Sequence, residues 1–106
     1  MNITPVNNQR FQGNVAIPNV IKPKLEHEVL SLLGFNTKKI TDFSRLIERI
    51  SAPEHTGNIR FIPKPGIYEP ASMGDYDVYV SDTLFSPAKT LTENFVEAVK
   101  RVAAKV

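Results

Sequence analysis

The sequence predicts a small α+β domain in which an antiparallel sheet of two to three strands is covered on one face by three helices. Two observations predict this fold class. Two short segments alternate apolar and polar residues, as a half-buried strand does, and three longer segments repeat apolar residues with the period of a helix. Because a loop without a helical pattern joins the two alternating segments, we expect them to form a hairpin.

Length and composition restrict the class of protein. A chain of 106 residues, 42% hydrophobic and 23% charged, has the size and make-up of one soluble folded domain. The absence of cysteine excludes disulfides and fits a reducing compartment, and the first residues lack the pattern of a secretory signal, so we expect a cytoplasmic location. The apolar runs are too short to span a membrane, and a net charge of +2 argues against a dedicated nucleic-acid binder.

The start of the chain differs in composition from the rest. Residues 1–14 hold four Asn and two Gln with few apolar side chains, which predicts an extended or mobile arm ahead of a single domain at 15–106. Phe11 is the aromatic exception, and it either docks on the core or serves as a recognition element for a partner. The run from 14 to 21 is β-branched, but Pro18 restricts it to an edge strand or interrupts it.

The first two helices are predicted at about 24–33 and 38–51. In the first, Pro23 lies near the start and Gly34 supplies a left-handed stop. The second repeats the apolar pattern and ends before Pro53, because proline disfavours helix at the residue that precedes it. Since the link between them is short, we expect the two to form a helical hairpin.

The third helix is predicted at about 87–105. Ser86 and Pro87 resemble a helix start, and Thr90 with Glu93 offers a second capping box further along. One apolar stripe runs along this segment, and we expect it to cover the apolar face of the sheet.

The hairpin is predicted to pair residues 58–62 with residues 76–81. Alternation gives each strand one apolar side and one mixed side. The predicted apolar face consists of Ile59, Phe61, Val78 and Val80. Asp75 and Asp82 fall just outside the second strand, where a short carboxylate bonds nearby backbone N–H groups and stabilises a turn. The aspartates of this region are therefore not expected to converge on a metal ion.

The opposite face of the hairpin is the predicted partner-binding surface. Arg60, Asp77 and Tyr79 lie on it, and the long loop brings Tyr68 to it. Tyrosine and arginine are enriched in binding hot spots, and Arg60 is expected to lie across from Asp77 as a cross-strand ion pair. The competing interpretation is a solvated sheet face with an ordinary charge pair.

Two other kinds of site remain as alternatives. Lys38, Arg45 and Arg49 share one stripe of the second helix, which suits contacts to phosphates, although few neighbouring side chains can read base edges. A catalytic site at the 64–75 loop, with His55 as acid or base, is the other. The sequence carries no catalytic, nucleotide-binding or metal-binding motif, so we expect no cofactor, no metal and a solvated His55.

These observations favour a small, non-catalytic protein-interaction or regulatory module whose partner is another protein. Nucleic-acid binding through the second helix and a small enzyme with a site at the 64–75 loop are the alternatives.

Overall fold

The α+β class is confirmed by the fold of residues 14–104, the part of the chain that a computed structural model describes. Within these residues there are three helices and a four-stranded mixed sheet. In chain order the elements are β1 (Val15–Ala16), α1 (Lys22–Leu32), α2 (Thr37–Ser51), β2 (Ile59–Pro63), a short 3-10 turn (Met73–Asp75), β3 (Tyr76–Val80), β4 (Thr83–Leu84) and α3 (Leu91–Ala104). The arm predicted at residues 1–14, with Phe11, lies outside the described residues except for Asn14.

The sheet has the order β1-β2-β3-β4, and it is larger than predicted. β2 and β3 form the predicted antiparallel hairpin, and β4 adds an antiparallel strand beyond it. β1 pairs with β2 in parallel, so the expectation of a purely antiparallel sheet is wrong. The two helices between β1 and β2 return the chain to the end of the sheet at which β1 begins, so β2 runs in the same direction as β1.

The register of the central hairpin produces the predicted apolar face. Ile59 lies opposite Val80 and Phe61 opposite Val78. Ile59, Phe61 and Val78 are buried, and Val80 packs against the core from a partly buried position. The period-two alternation of the sequence is thus reproduced in the burial of the side chains.

Helix α3 is the centre of the domain, because it contacts β3 and is also contacted by α1 and α2. Only part of the helical layer therefore rests on the sheet directly. The buried side chains of α3 form a band wider than the predicted stripe, since they face both the sheet and the other two helices: Thr92, Asn94, Phe95, Val96, Ala98, Val99, Val102 and Ala103. The ring centroid of Phe95 lies 5.4 Å from that of Phe61 in β2 and 6.1 Å from that of Phe43 in α2. Phe95 therefore joins the sheet to the helices.

The start of α3 differs from the prediction. The helix begins at Leu91, so the start predicted at Ser86 and Pro87 is wrong. Thr90 caps the start instead, because its hydroxyl oxygen accepts the backbone N–H of Glu93 at 3.1 Å. The segment before it is held instead by Asn94, whose side-chain oxygen accepts the N–H of Ala88 at 2.7 Å.

Asn14 fixes the first described residue to the end of α2. Its side-chain amide donates to the carbonyl oxygens of Ile50, Ala52 and His55 at 2.6, 3.2 and 3.3 Å. Its own carbonyl oxygen accepts the N–H of Ile59 at 2.7 Å. The carbonyls of Ile50 and Ala52 belong to the end of α2, which leaves them without a helical partner.

Candidate functional site

The outer face of the sheet carries a row of side chains that crosses all four strands. Pairing places Ala16, Arg60, Tyr79 and Leu84 side by side in this row. Arg60 is exposed, Tyr79 is half-buried, and Leu84 is 51% exposed. Because β4 was not predicted, sequence reasoning missed Leu84, which adds an apolar side chain next to Tyr79.

The ion pairs on this face differ from the predicted one. Arg60 lies opposite Tyr79, and Asp77 lies opposite Ile62, so the predicted Arg60–Asp77 pair is wrong. The Arg60 guanidinium donates instead to the Asp82 carboxylate at 2.9 Å, in the turn that leads to β4. Lys64 donates to Asp77 at 2.8 Å. The residue directly opposite Arg60 is Tyr79, two positions along β3 from the predicted Asp77, and side-chain alternation alone does not fix that register.

The 64–75 loop is fixed at its base by hydrogen bonds. The N–H of Lys64 donates to the carbonyl oxygen of Asp75 at 2.8 Å, and the N–H of Ile67 donates back to Lys64 at 3.1 Å. The Asp75 carboxylate accepts the N–H groups of Ala71 and Ser72 at 2.9 and 3.1 Å. The predicted role of Asp75 as a turn-stabilising carboxylate is confirmed.

These hydrogen bonds have an electrostatic consequence at Asp75. The backbone N–H of Ala71, and then that of Ser72, bond the charged carboxylate and hold the pKa of Asp75 below its ordinary value of 3.8. Since the pKa is lower in the folded chain than in the unfolded chain, the ionised carboxylate stabilises the fold. That contribution is fully present above pH 3.8 and disappears as the pH falls through the lowered value.

Replacing Asp75 with asparagine is therefore expected to lower the stability at neutral pH and to have little effect in acid. Urea unfolding of the parent chain and of Asp75→Asn, repeated at several pH values, measures the difference. We expect the difference to shrink below pH 3.8, and a difference that is the same at every pH would contradict this role.

The fixed loop presents two large side chains to solvent. Tyr68 is 95% exposed and Ile67 is 37% exposed. Lys64 connects the base of the loop to the outer sheet face through its pair with Asp77. Arg60, Asp77, Tyr79 and Leu84 of the sheet, taken together with Tyr68 of the loop, are called the sheet–loop surface below.

The basic stripe of α2 is partly engaged within the protein. Lys38 pairs with Asp42 at 3.2 Å, and the Arg49 guanidinium donates to the carbonyl oxygen of Ala103, near the end of α3, at 3.3 Å. Arg45 is exposed. Two of the three residues predicted to contact phosphates thus already have partners among residues 14–104.

The two histidines have different surroundings. His27 is exposed, whereas His55 is partly buried, so the expectation of a solvated His55 is wrong. The Nδ1 atom of His55 accepts the N–H of Gly57 at 3.1 Å, and its Nε2 atom is buried. Through its bond with Gly57, His55 stabilises the turn before β2. Among residues 14–104, no group of three or more His, Cys, Asp or Glu could hold a metal ion.

An apolar groove lies between α1, α2 and β1, and sequence reasoning did not predict it. Its cavity has a volume of about 790 Å³, and its apolar wall includes Leu25, Val29, Leu33, Phe43, Ile47 and Phe95. The groove exists because α1 and α2 each contact α3 more extensively than they contact each other. The separation of two helices is a tertiary property, so neither helical pattern could indicate it by itself.

Comparisons with protein-family models, with curated proteins and with solved structures find no match. No helix between residues 14 and 104 has the length and apolar character needed to cross a membrane.

Proposed function

We propose that this chain is a small, non-catalytic interaction or regulatory module of the cytoplasm, and that it binds another protein through the sheet–loop surface. The observation that carries the proposal is the exposure of Tyr68 on a loop whose base is fixed by hydrogen bonds. A tyrosine that is 95% exposed gains no burial in the isolated domain, whereas it gains apolar contact and a hydrogen-bonding hydroxyl at an interface.

The composition of the surface supports a protein partner. Tyr68, Tyr79 and Arg60 are of the residue types that dominate binding energies at interfaces, and Leu84 adds apolar area beside Tyr79. The Arg60 pair with Asp82 is solvent-exposed and contributes little to stability, so Arg60 can exchange its carboxylate for one on a partner.

The fixed base of the loop also favours binding. A loop that is ordered before association loses less conformational entropy when the complex forms. Asp75 orders the loop through its backbone hydrogen bonds without belonging to the exposed surface that a partner would contact.

The two alternatives have less support. Arg49 donates to the carbonyl oxygen of Ala103, which weakens the case for phosphate contacts along α2. The environment of His55 weakens the case for acid–base chemistry near the 64–75 loop.

Replacing Tyr68 or Tyr79 with alanine is expected to weaken partner binding by more than about 1 kcal/mol each, or about fivefold or more in Kd. The partner is first captured on the immobilised parent chain, and its affinity for each variant is then measured by calorimetry. Phe35→Ala is the matched control, because Phe35 is also a largely exposed ring but lies in the link between α1 and α2. Equal losses from all three variants, or none from the two tyrosines, would contradict the proposal.

A further inference from the structure

The α1–α2 groove is lined by apolar side chains along most of its length and is more polar at one end. Leu30, Leu33 and Ile40 line it near the link between the helices. At the other end, where α1 begins and α2 ends, the lining residues include Lys22, Glu48 and Ser51. Phe43 and Ile47 on its wall are only partly buried. Apolar surface of this kind is stabilised when an apolar side chain covers it.

The described chain begins at the polar end of this groove. Asn14 is held to Ile50, Ala52 and His55, and Val15 and Ala52 themselves line the groove. The chain that precedes Asn14 must therefore leave from this point.

We propose that Phe11 occupies the α1–α2 groove within its own chain, a role independent of the sheet–loop surface. Phe11 lies three positions before Asn14, and three extended residues span at most about 11 Å, so the tether holds the ring within reach of the groove. A short tether of this kind corresponds to an effective concentration on the order of millimolar.

Charge supports the same occupant. The groove lining contains Glu26 and Glu48 but only one cation, Lys22. Arg10 precedes Phe11 and supplies a positive charge next to the apolar ring. A segment with an aromatic ring beside a cation complements a groove with an apolar wall and an acidic rim.

Tryptophan fluorescence tests the proposal directly, because the chain contains no tryptophan. In the full-length chain, Phe11→Trp is expected to emit at shorter wavelength than Asn8→Trp and to be quenched by acrylamide several-fold less. Equal emission and equal quenching of the two reporters, in chains with the same circular dichroism, would overturn the proposal.

A charge placed in the groove identifies the site of burial. Ser44 lines the groove and is exposed, so Ser44→Glu is expected to shift the emission of Phe11→Trp towards that of a solvated ring. Thr41→Glu is the matched control, since Thr41 is an exposed residue of the same helix and does not line the groove. A buried reporter that responds to neither charge, or equally to both, means that Phe11 docks elsewhere and contradicts the proposal.

A spin label supplies a measurement that does not depend on adding a charge to the groove. The chain has no cysteine, so Ser44→Cys and Thr83→Cys each accept a single nitroxide label. The label at position 44 is expected to broaden the amide signals of residues 10–12 much more than the label at position 83, which lies on β4 at the opposite edge of the sheet from β1. No broadening, or broadening that arises only between labelled and unlabelled molecules in a mixture, would overturn the proposal, the latter by assigning the groove to a second copy.

Discussion

Replacing Phe95 with alanine is expected to lower the free energy of unfolding by about 3 to 5 kcal/mol. Phe95 is 3% exposed on α3, and its ring lies between Phe61 of the sheet and Phe43 of α2. The truncation removes apolar contacts on both sides and leaves a cavity that the neighbouring rings cannot fill completely. Since a domain of this size has a total stability of about 5 to 15 kcal/mol, the loss is a large fraction of the total. Urea denaturation followed by circular dichroism measures the change.

Phe35→Ala is the matched control for this prediction. It removes the same atoms from a ring that is 60% exposed, so the stability is expected to change by no more than about 0.5 kcal/mol. If Phe95→Ala and Phe35→Ala had similar effects, α3 would not be the element that joins the helices to the sheet.

Replacing Gly57 with alanine is expected to destabilise the protein by about 1 to 3 kcal/mol. A Cβ atom at this position would lie 2.7 Å from Cγ1 of Val102 and 3.3 Å from Cε1 of His55. Val102 is 1% exposed on α3, so it cannot move without disturbing the core. The close approach of the turn before β2 to α3 therefore requires a residue without a side chain. Thermal unfolding followed by calorimetry gives the loss.

Gly74→Ala supplies the comparison for this second prediction. An added Cβ at Gly74 meets no atom within 4 Å, and this glycine has no positive φ angle. Alanine reduces the conformational entropy of the unfolded chain, so the stability should be unchanged or rise by up to about 1 kcal/mol. A loss at Gly74 as large as that at Gly57 would show that the contact with Val102 is not the cause.

The sequence predicted the elements whose signal is local. The alternation around Phe61 and Val78 identified both strands of the hairpin and their apolar face. The apolar patterns of α1 and α2, together with Gly34, identified their bounds to within about two residues. Asp75 was predicted to stabilise a turn because it stands next to a strand, and its partners Ala71 and Ser72 are neighbours in the chain.

The features that sequence reasoning missed depend on contacts between distant residues. β4 contains two residues, which is too short for alternation to be recognised, and the parallel pairing of β1 with β2 depends on the two helices between them. Arg60 meets Asp82 rather than Asp77 because the register and the turn at Ser81, with its φ of 56°, decide which carboxylate is near. The α1–α2 groove depends on how each helix packs against α3, which no single helical pattern contains.

Photo-crosslinking from the sheet–loop surface is the most direct test of the central claim that this surface binds another protein. A benzophenone amino acid is placed at Tyr68 in the full chain, in the cells that produce it, and at Glu97 as a control on the exposed side of α3. The claim predicts a discrete covalent adduct with one other protein from position 68 and none from position 97, and loss of that adduct when Tyr79 is also replaced by alanine. Absence of an adduct from position 68, or the same adducts from both positions, would contradict it.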